Sequence, residues 1–238
     1  TKNSTASPQD FHNKSTTSPQ LQHTSPQNHP TFSQLFHNFS TEIAENLTKD
    51  GYYIISCRQV TWKRVDLAIQ ACQQLGLSLL VVGDGPEHKN LVRLARDSQN
   101  IHFLPWTDPG ELSQLLQHAK GYIFPSLEPF GIAAVEALAA GCPVIAFAEG
   151  GSRDFVKPGV NGLLFAEQTP ESLTKALRKF EKTTFDRKKV ASSAAPFSVE
   201  HFRQGITDIV SKHLPHNSSK ISSQHRRKSK SHPKGANS

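Results

Sequence analysis

The 238-residue sequence contains no methionine and only three cysteines, Cys57, Cys72 and Cys142. An odd number with no CxxC pair fits a reducing cytoplasm in which cysteine is a small core residue, and no His/Cys cluster has zinc spacing. No run of about 18 apolar residues occurs, so nothing reads as a membrane-spanning helix, and no signal-peptide pattern opens the chain. Asp-x-Asp is also missing, which removes a short carboxylate pair suited to a divalent ion. The expectation is therefore no catalytic metal and no cofactor. The chain opens on Thr1, and with methionine absent throughout, an upstream portion is expected.

Large apolar residues are scarce at both ends. Residues 1–50 are rich in Ser, Thr, Gln, Asn, Pro and His, the composition of a disordered polar tail. Residues 216–238 are similar and lack any acid, while carrying Lys220, Arg226, Arg227, Lys228, Lys230 and Lys234. This tail supplies most of the formal net charge of +7, so the part between is nearly neutral. Without interleaved aromatics it reads as a solvated basic terminus. Nucleic acid is not an expected partner, and peripheral contact with the anionic inner face of a membrane is the partner class its charge would allow.

Between the tails, residues 51–215 alternate short β-rich runs with helical spacing. Runs at 52–57, 77–82, 101–104, 121–124, 143–147 and 162–165 predict strands; apolar spacing predicts helices over 65–75, 87–96, 108–118, 132–140, 170–181 and 199–213. Asp108, three residues before Glu111, is an N-cap signature. Uninterrupted βαβα order with continuous apolar strands predicts an α/β, Rossmann-like fold: a parallel sheet with helices on both faces. Ligands of such sheets bind beyond the carboxyl ends of the strands. Four loops meet that condition: one with Arg58 and Lys63, one with Gly83 and Gly85, one over 128–131, and one with Gly150 and Gly151.

The richest stretch is Glu128-Pro-Phe-Gly-Ile-Ala-Ala-Val-Glu136. A helix starting near Gly131 would point unpaired N–H groups and its positive dipole end at an anion such as a phosphate. Two carboxylates beside an anion site need hydroxyl donors, as a hexose and a ribose provide. Spacing alone fits equally a solvated surface helix. The surrounding Ile132-Ala-Ala-Val-Glu-Ala-Leu-Ala-Ala140 is apolar nearly all round, which predicts a buried Glu136 in need of a partner. Arg58 and Lys63 suit a diphosphate clamp, although two solvated cations fit the residues as well. Gly83 and Gly85 read as turn geometry, Gly150 and Gly151 as a flexible bend.

Taken in order, Ser56-Cys-Arg-Gln-Val-Thr-Trp-Lys-Arg-Val-Asp66, Val82-Gly-Asp-Gly-Pro86, the Glu128 to Glu136 stretch, Gly141-Cys-Pro-Val144, Gly150-Gly-Ser-Arg-Asp-Phe-Val156 and Gly159-Val-Asn-Gly-Leu-Leu164 resemble the C-terminal donor-binding domain of retaining GT-B glycosyltransferases, the family 4 or group 1 type. The wording around Trp62-Lys63-Arg64-Val65-Asp66 leans toward mannosyltransferase-like members and a GDP-linked donor. The resemblance implies a hexosyltransferase of polysaccharide biosynthesis, acting with retention on a UDP- or GDP-linked sugar and a carbohydrate or lipid-linked acceptor. It implies Glu128, Arg58 and Lys63 as catalytic residues. Arg58 and Lys63 would hold the diphosphate and Glu128 the sugar, with Phe130 and Gly131 offering backbone N–H groups beside Ile132, and Glu136 would bind the ribose. Base contacts would fall around residues 103–106. Two departures stand out. Asp154 replaces the family's usual Glu, and the N-terminal acceptor domain that members carry is not seen before residue 51. The alternative is a non-catalytic module that binds a sugar nucleotide without transferring it.

Overall fold

The computed structural model describes Leu47 and residues 51–213. Six strands form one parallel sheet: β1 (Tyr53–Ser56), β2 (Leu79–Val82), β3 (Ile101–Leu104), β4 (Gly121–Phe124), β5 (Val144–Phe147) and β6 (Gly162–Phe165), in the order β3-β2-β1-β4-β5-β6. The helices are α1 (Val65–Leu75), α2 (His88–Ala95), α3 (Pro109–His118), α4 (Ile132–Ala139), α5 (Ser152–Phe155), α6 (Pro170–Phe180), α7 (Arg187–Ser192) and α8 (Val199–His213). The predicted Rossmann-like architecture is thus present, and the strands fall where the apolar runs placed them.

The runs are continuous because the strands are covered on both faces. β1, β2, β4 and β5 are buried at every position. Successive side chains point to opposite faces, so Ile54, Leu80, Tyr122 and Val144 enter one core with α3 and α4. Tyr53, Ile55, Leu79, Val81 and Ile123 enter the other with α1 and α6. Asp108 caps α3 as its spacing predicted, accepting from the Gly110 and Glu111 N–H groups. The short helices α5 and α7 had no sequence expectation, since four to six residues are too few to show a helical period. The expected polar tails lie outside the described residues except for Leu47, which is helical and packs in the α3/α4 core.

Two features bear on function. First, the strand order reverses between β1 and β4, and these strands pair at only Tyr53↔Gly121 and Ile54↔Tyr122, against four positions for β1 and β2. Beyond that point the carbonyl of Ser56 accepts instead from the Tyr122 hydroxyl at 2.9 Å. The strands part before their carboxyl ends, and a crevice opens where parallel sheets hold ligands. Second, α8 buries no side chain, and its apolar stripe of Val199, Phe202, Ile206 and Ile209 faces solvent. Among the described residues no helix is long and apolar enough to cross a membrane.

Candidate functional site

The loops leaving β1 and β4 meet across this crevice. The first makes a short 3-10 turn, Thr61–Lys63, and the Lys63 ammonium reaches the Glu128 carboxylate, Nζ to Oε1, at 2.6 Å. Both side chains are about one-fifth exposed, 22% and 19%, so the pair is shielded but still open to a ligand. The same Oε1 accepts from the hydroxyl of Ser126, also at 2.6 Å, and Ser126 is buried. Cys57 lines the same small hollow with Lys63, Ser126 and Glu128. Burial pushes its thiol up to about 12, with Lys63 pulling it down and Glu128 adding to the rise, so it stays protonated there at neutral pH.

Arg58 lies exposed in the same loop and makes no ion pair among the described residues. Its neighbour Gln59, passed over in the sequence, is fully buried and ties two rim loops together. Its amide donates to the Gly83 carbonyl at 2.7 Å, its backbone N–H to Asp84 O, and its carbonyl accepts from Glu87 N–H. With Nε2 committed to Gly83, Oε1 is the acceptor facing His88 Nδ1 at 2.8 Å, so that ring nitrogen carries the proton. The signal available in the sequence was only a polar residue between two cations, which looks like any loop.

Gly131 is the N-cap of α4, at φ 106°, a conformation that L residues with a Cβ rarely adopt. A Cβ there would also meet the Phe124 ring at 2.7 Å. Among the described residues no side chain caps α4, which starts at Gly131 between Phe130 and Ile132. Gly150 and Gly151 allow close backbone packing. The Gly151 N–H donates to Glu128 O at 2.9 Å, and a Cβ at Gly151 would collide with the Pro129 carbonyl and with Phe130 Cα at 2.6 Å. They let the loop after β5 press against the backbone that carries Glu128.

Glu136 corrects one expectation. It is exposed, not buried, because α4 is covered on one side only: Ile132, Glu136 and Ala139, spaced at four and three residues, share the uncovered side. Glu136 lines a groove of about 530 Å³ with Phe130, Ile132, Phe197 and Val199. The structure thus joins Lys63 and Glu128 directly, places Phe130, Gly131 and Ile132 at the adjoining helix start, and sets Glu136 one turn further along it. Trp106, in the segment expected to meet a base, is exposed in the loop after β3, and Asp154 is exposed on α5. Among the described residues, no three His, Cys, Asp or Glu side chains gather as a metal site.

A family model described as glycosyl transferases group 1 matches residues 39–196. The chain belongs to the group 1 glycosyl transferases. A D-inositol 3-phosphate glycosyltransferase from Frankia alni is 32% identical over 168 residues, covering 62% of this chain and 41% of that protein. The lipopolysaccharide core biosynthesis glycosyltransferase LpsE from Rhizobium meliloti is 30% identical over 157 residues, covering 63% and 46%. Among solved structures, HepE from Anabaena in complex with UDP superposes at a TM-score of 0.58 with 25% identity, covering 76% of this chain and 52% of that one. The chain therefore spans roughly two fifths to half the length of these proteins.

Proposed function

We propose that this chain is the donor-binding half of a retaining hexosyltransferase that takes a UDP- or GDP-linked sugar and serves a carbohydrate or lipid-linked acceptor. The observation that carries the reading is the 2.6 Å contact between Lys63 and Glu128, which puts a cation for the diphosphate and an acceptor for sugar hydroxyls on facing loops of the β1/β4 crevice. Membership of the group 1 family and the UDP bound by HepE support the choice of ligand.

In this reading the diphosphate lies at the start of α4, where the helix dipole and free N–H groups favour an anion. Lys63 and the exposed Arg58 stabilise the charge that grows on the diphosphate as the anomeric bond breaks, a role preorganised cations fill well. Glu128 accepts from sugar hydroxyls and Glu136, already solvated, from the ribose. Retention follows from the family resemblance, and no side chain is nominated as a covalent nucleophile.

Trp62 and Trp106 both sit exposed on rim loops, so intrinsic fluorescence gives a direct readout. Titration of the chain with UDP-glucose, GDP-mannose, UDP and GDP is expected to show saturable binding of one nucleotide pair, weakened at least tenfold by Lys63→Ala and by Arg58→Ala. Binding by no nucleotide, or binding indifferent to both variants, would sink the proposal. The alternative of binding without transfer draws on the chain's spanning only part of its relatives' length. Release of free hexose, or its transfer, from a bound donor separates the two.

A further inference from the structure

We propose that Ser126 is a positioning residue for Glu128, holding its carboxylate so that one oxygen is presented to the sugar; this rests on the donor-binding reading above. Both short bonds to the Glu128 carboxylate end on the same atom. Lys63 Nζ and Ser126 Oγ each approach Oε1 at 2.6 Å, and among the described residues Oε2 has no bond. A carboxylate oxygen can accept two such bonds, and two donors on one oxygen fix the plane of the group and leave the other free to accept.

The two donors are not equivalent. Lys63 is a point charge on a flexible four-carbon stem, and a diphosphate arriving at the helix start competes for that charge. Ser126 is 1% exposed, has a single rotatable bond between backbone and hydroxyl, and sits at the exit of β4. That exit is itself held, because Gln168 donates to the carbonyl of Pro125 at 2.7 Å. From the β5 side, the Gly151 N–H holds the Glu128 carbonyl at 2.9 Å. Backbone and side chain of Glu128 are thus fixed from separate directions, and the hydroxyl of Ser126 is the side-chain bond that survives when Lys63 turns toward phosphate. Sugar recognition then depends on Ser126, while diphosphate recognition does not.

The test compares Ser126→Ala and Ser126→Thr with the unsubstituted chain, using UDP-glucose against UDP and GDP-mannose against GDP. Ser126→Ala is expected to leave the nucleoside diphosphate affinity within about twofold and weaken the sugar nucleotide at least fivefold, so that the ratio of the two dissociation constants moves. Ser126→Thr, which keeps the hydroxyl, is expected to restore the ratio. An unchanged ratio overturns the proposal, and so does an equal loss of both ligands, which would mean Ser126 only supports the fold. If nucleotides bind with dependence on Lys63 but the ratio ignores Ser126, this proposal alone falls. If no nucleotide binds, it falls together with the donor-binding reading.

Discussion

Gln59 shows how much of the rim depends on a side chain with no chemistry of its own. It is fully buried and bonded at both ends of its amide, so Gln59→Ala strands the buried Gly83 carbonyl, while the half-exposed His88 ring turns to water. Leaving buried polar groups unpaired costs about 1–3 kcal/mol, and urea unfolding is expected to show a loss of that order, with weaker nucleotide binding because the Arg58–Lys63 loop loses its tie. A loss below a few tenths of a kcal/mol would mean water replaces the amide at no cost. Lys63, Glu128 and the glycine-opened helix could be nominated from the sequence only by their order among the family-like motifs, since type and spacing alone fitted a solvated helix and loose cations equally well. Gln59 and Ser126 could not, because hydrogen bonds to main-chain carbonyls or to a residue two places on leave no periodic mark. The burial of Glu136 was misread for a related reason. Composition says a helix is apolar, but only packing says which of its sides is covered.

At the level of elements, the strands could be read directly because a parallel sheet covered on both faces demands unbroken apolar runs. What could not be read was how the loops between them press together. Gly151→Ala tests this, since the added Cβ meets Pro129 O and Phe130 Cα. Circular dichroism is expected to be unchanged while sugar-nucleotide affinity falls at least tenfold, because the main chain bearing Glu128 must move. Retained affinity would show that the loop yields without displacing Glu128. Helix α8 gives the opposite case. As it buries no side chain, Ile206→Ser and Ile209→Ser are expected to change unfolding free energy by less than about 0.5 kcal/mol. A larger cost would place this helix against the body of the domain in solution.

Across the whole molecule, the three thiols and three tyrosines act in the same direction. Burial pushes Cys57 and Cys142 up to about 12 and raises Cys72, Tyr52, Tyr53 and Tyr122 as well. A group whose pKa is higher folded than unfolded stabilises the fold fully below its unfolded value, and that contribution is lost as pH rises toward the folded value. Melting temperature is thus expected to be insensitive to these groups up to about pH 9 and to fall steeply between pH 9 and 12. A melting temperature that holds level to pH 11 would contradict their burial.

The brief pairing of β1 with β4 also has a mechanical meaning. The sheet is two three-stranded leaves joined along a narrow spine, β3-β2-β1 on one side and β4-β5-β6 on the other. On one face α1 and α6 stitch across it, with Thr174 donating to Gln74 at 3.0 Å. At the carboxyl ends the leaves are linked by the Lys63–Glu128 pair and the Tyr122–Ser56 bond, and a ligand held from both leaves would add a further clasp there. Amide exchange in β1 and β4 is therefore expected to slow on nucleotide binding far more than in the outlying β3 and β6.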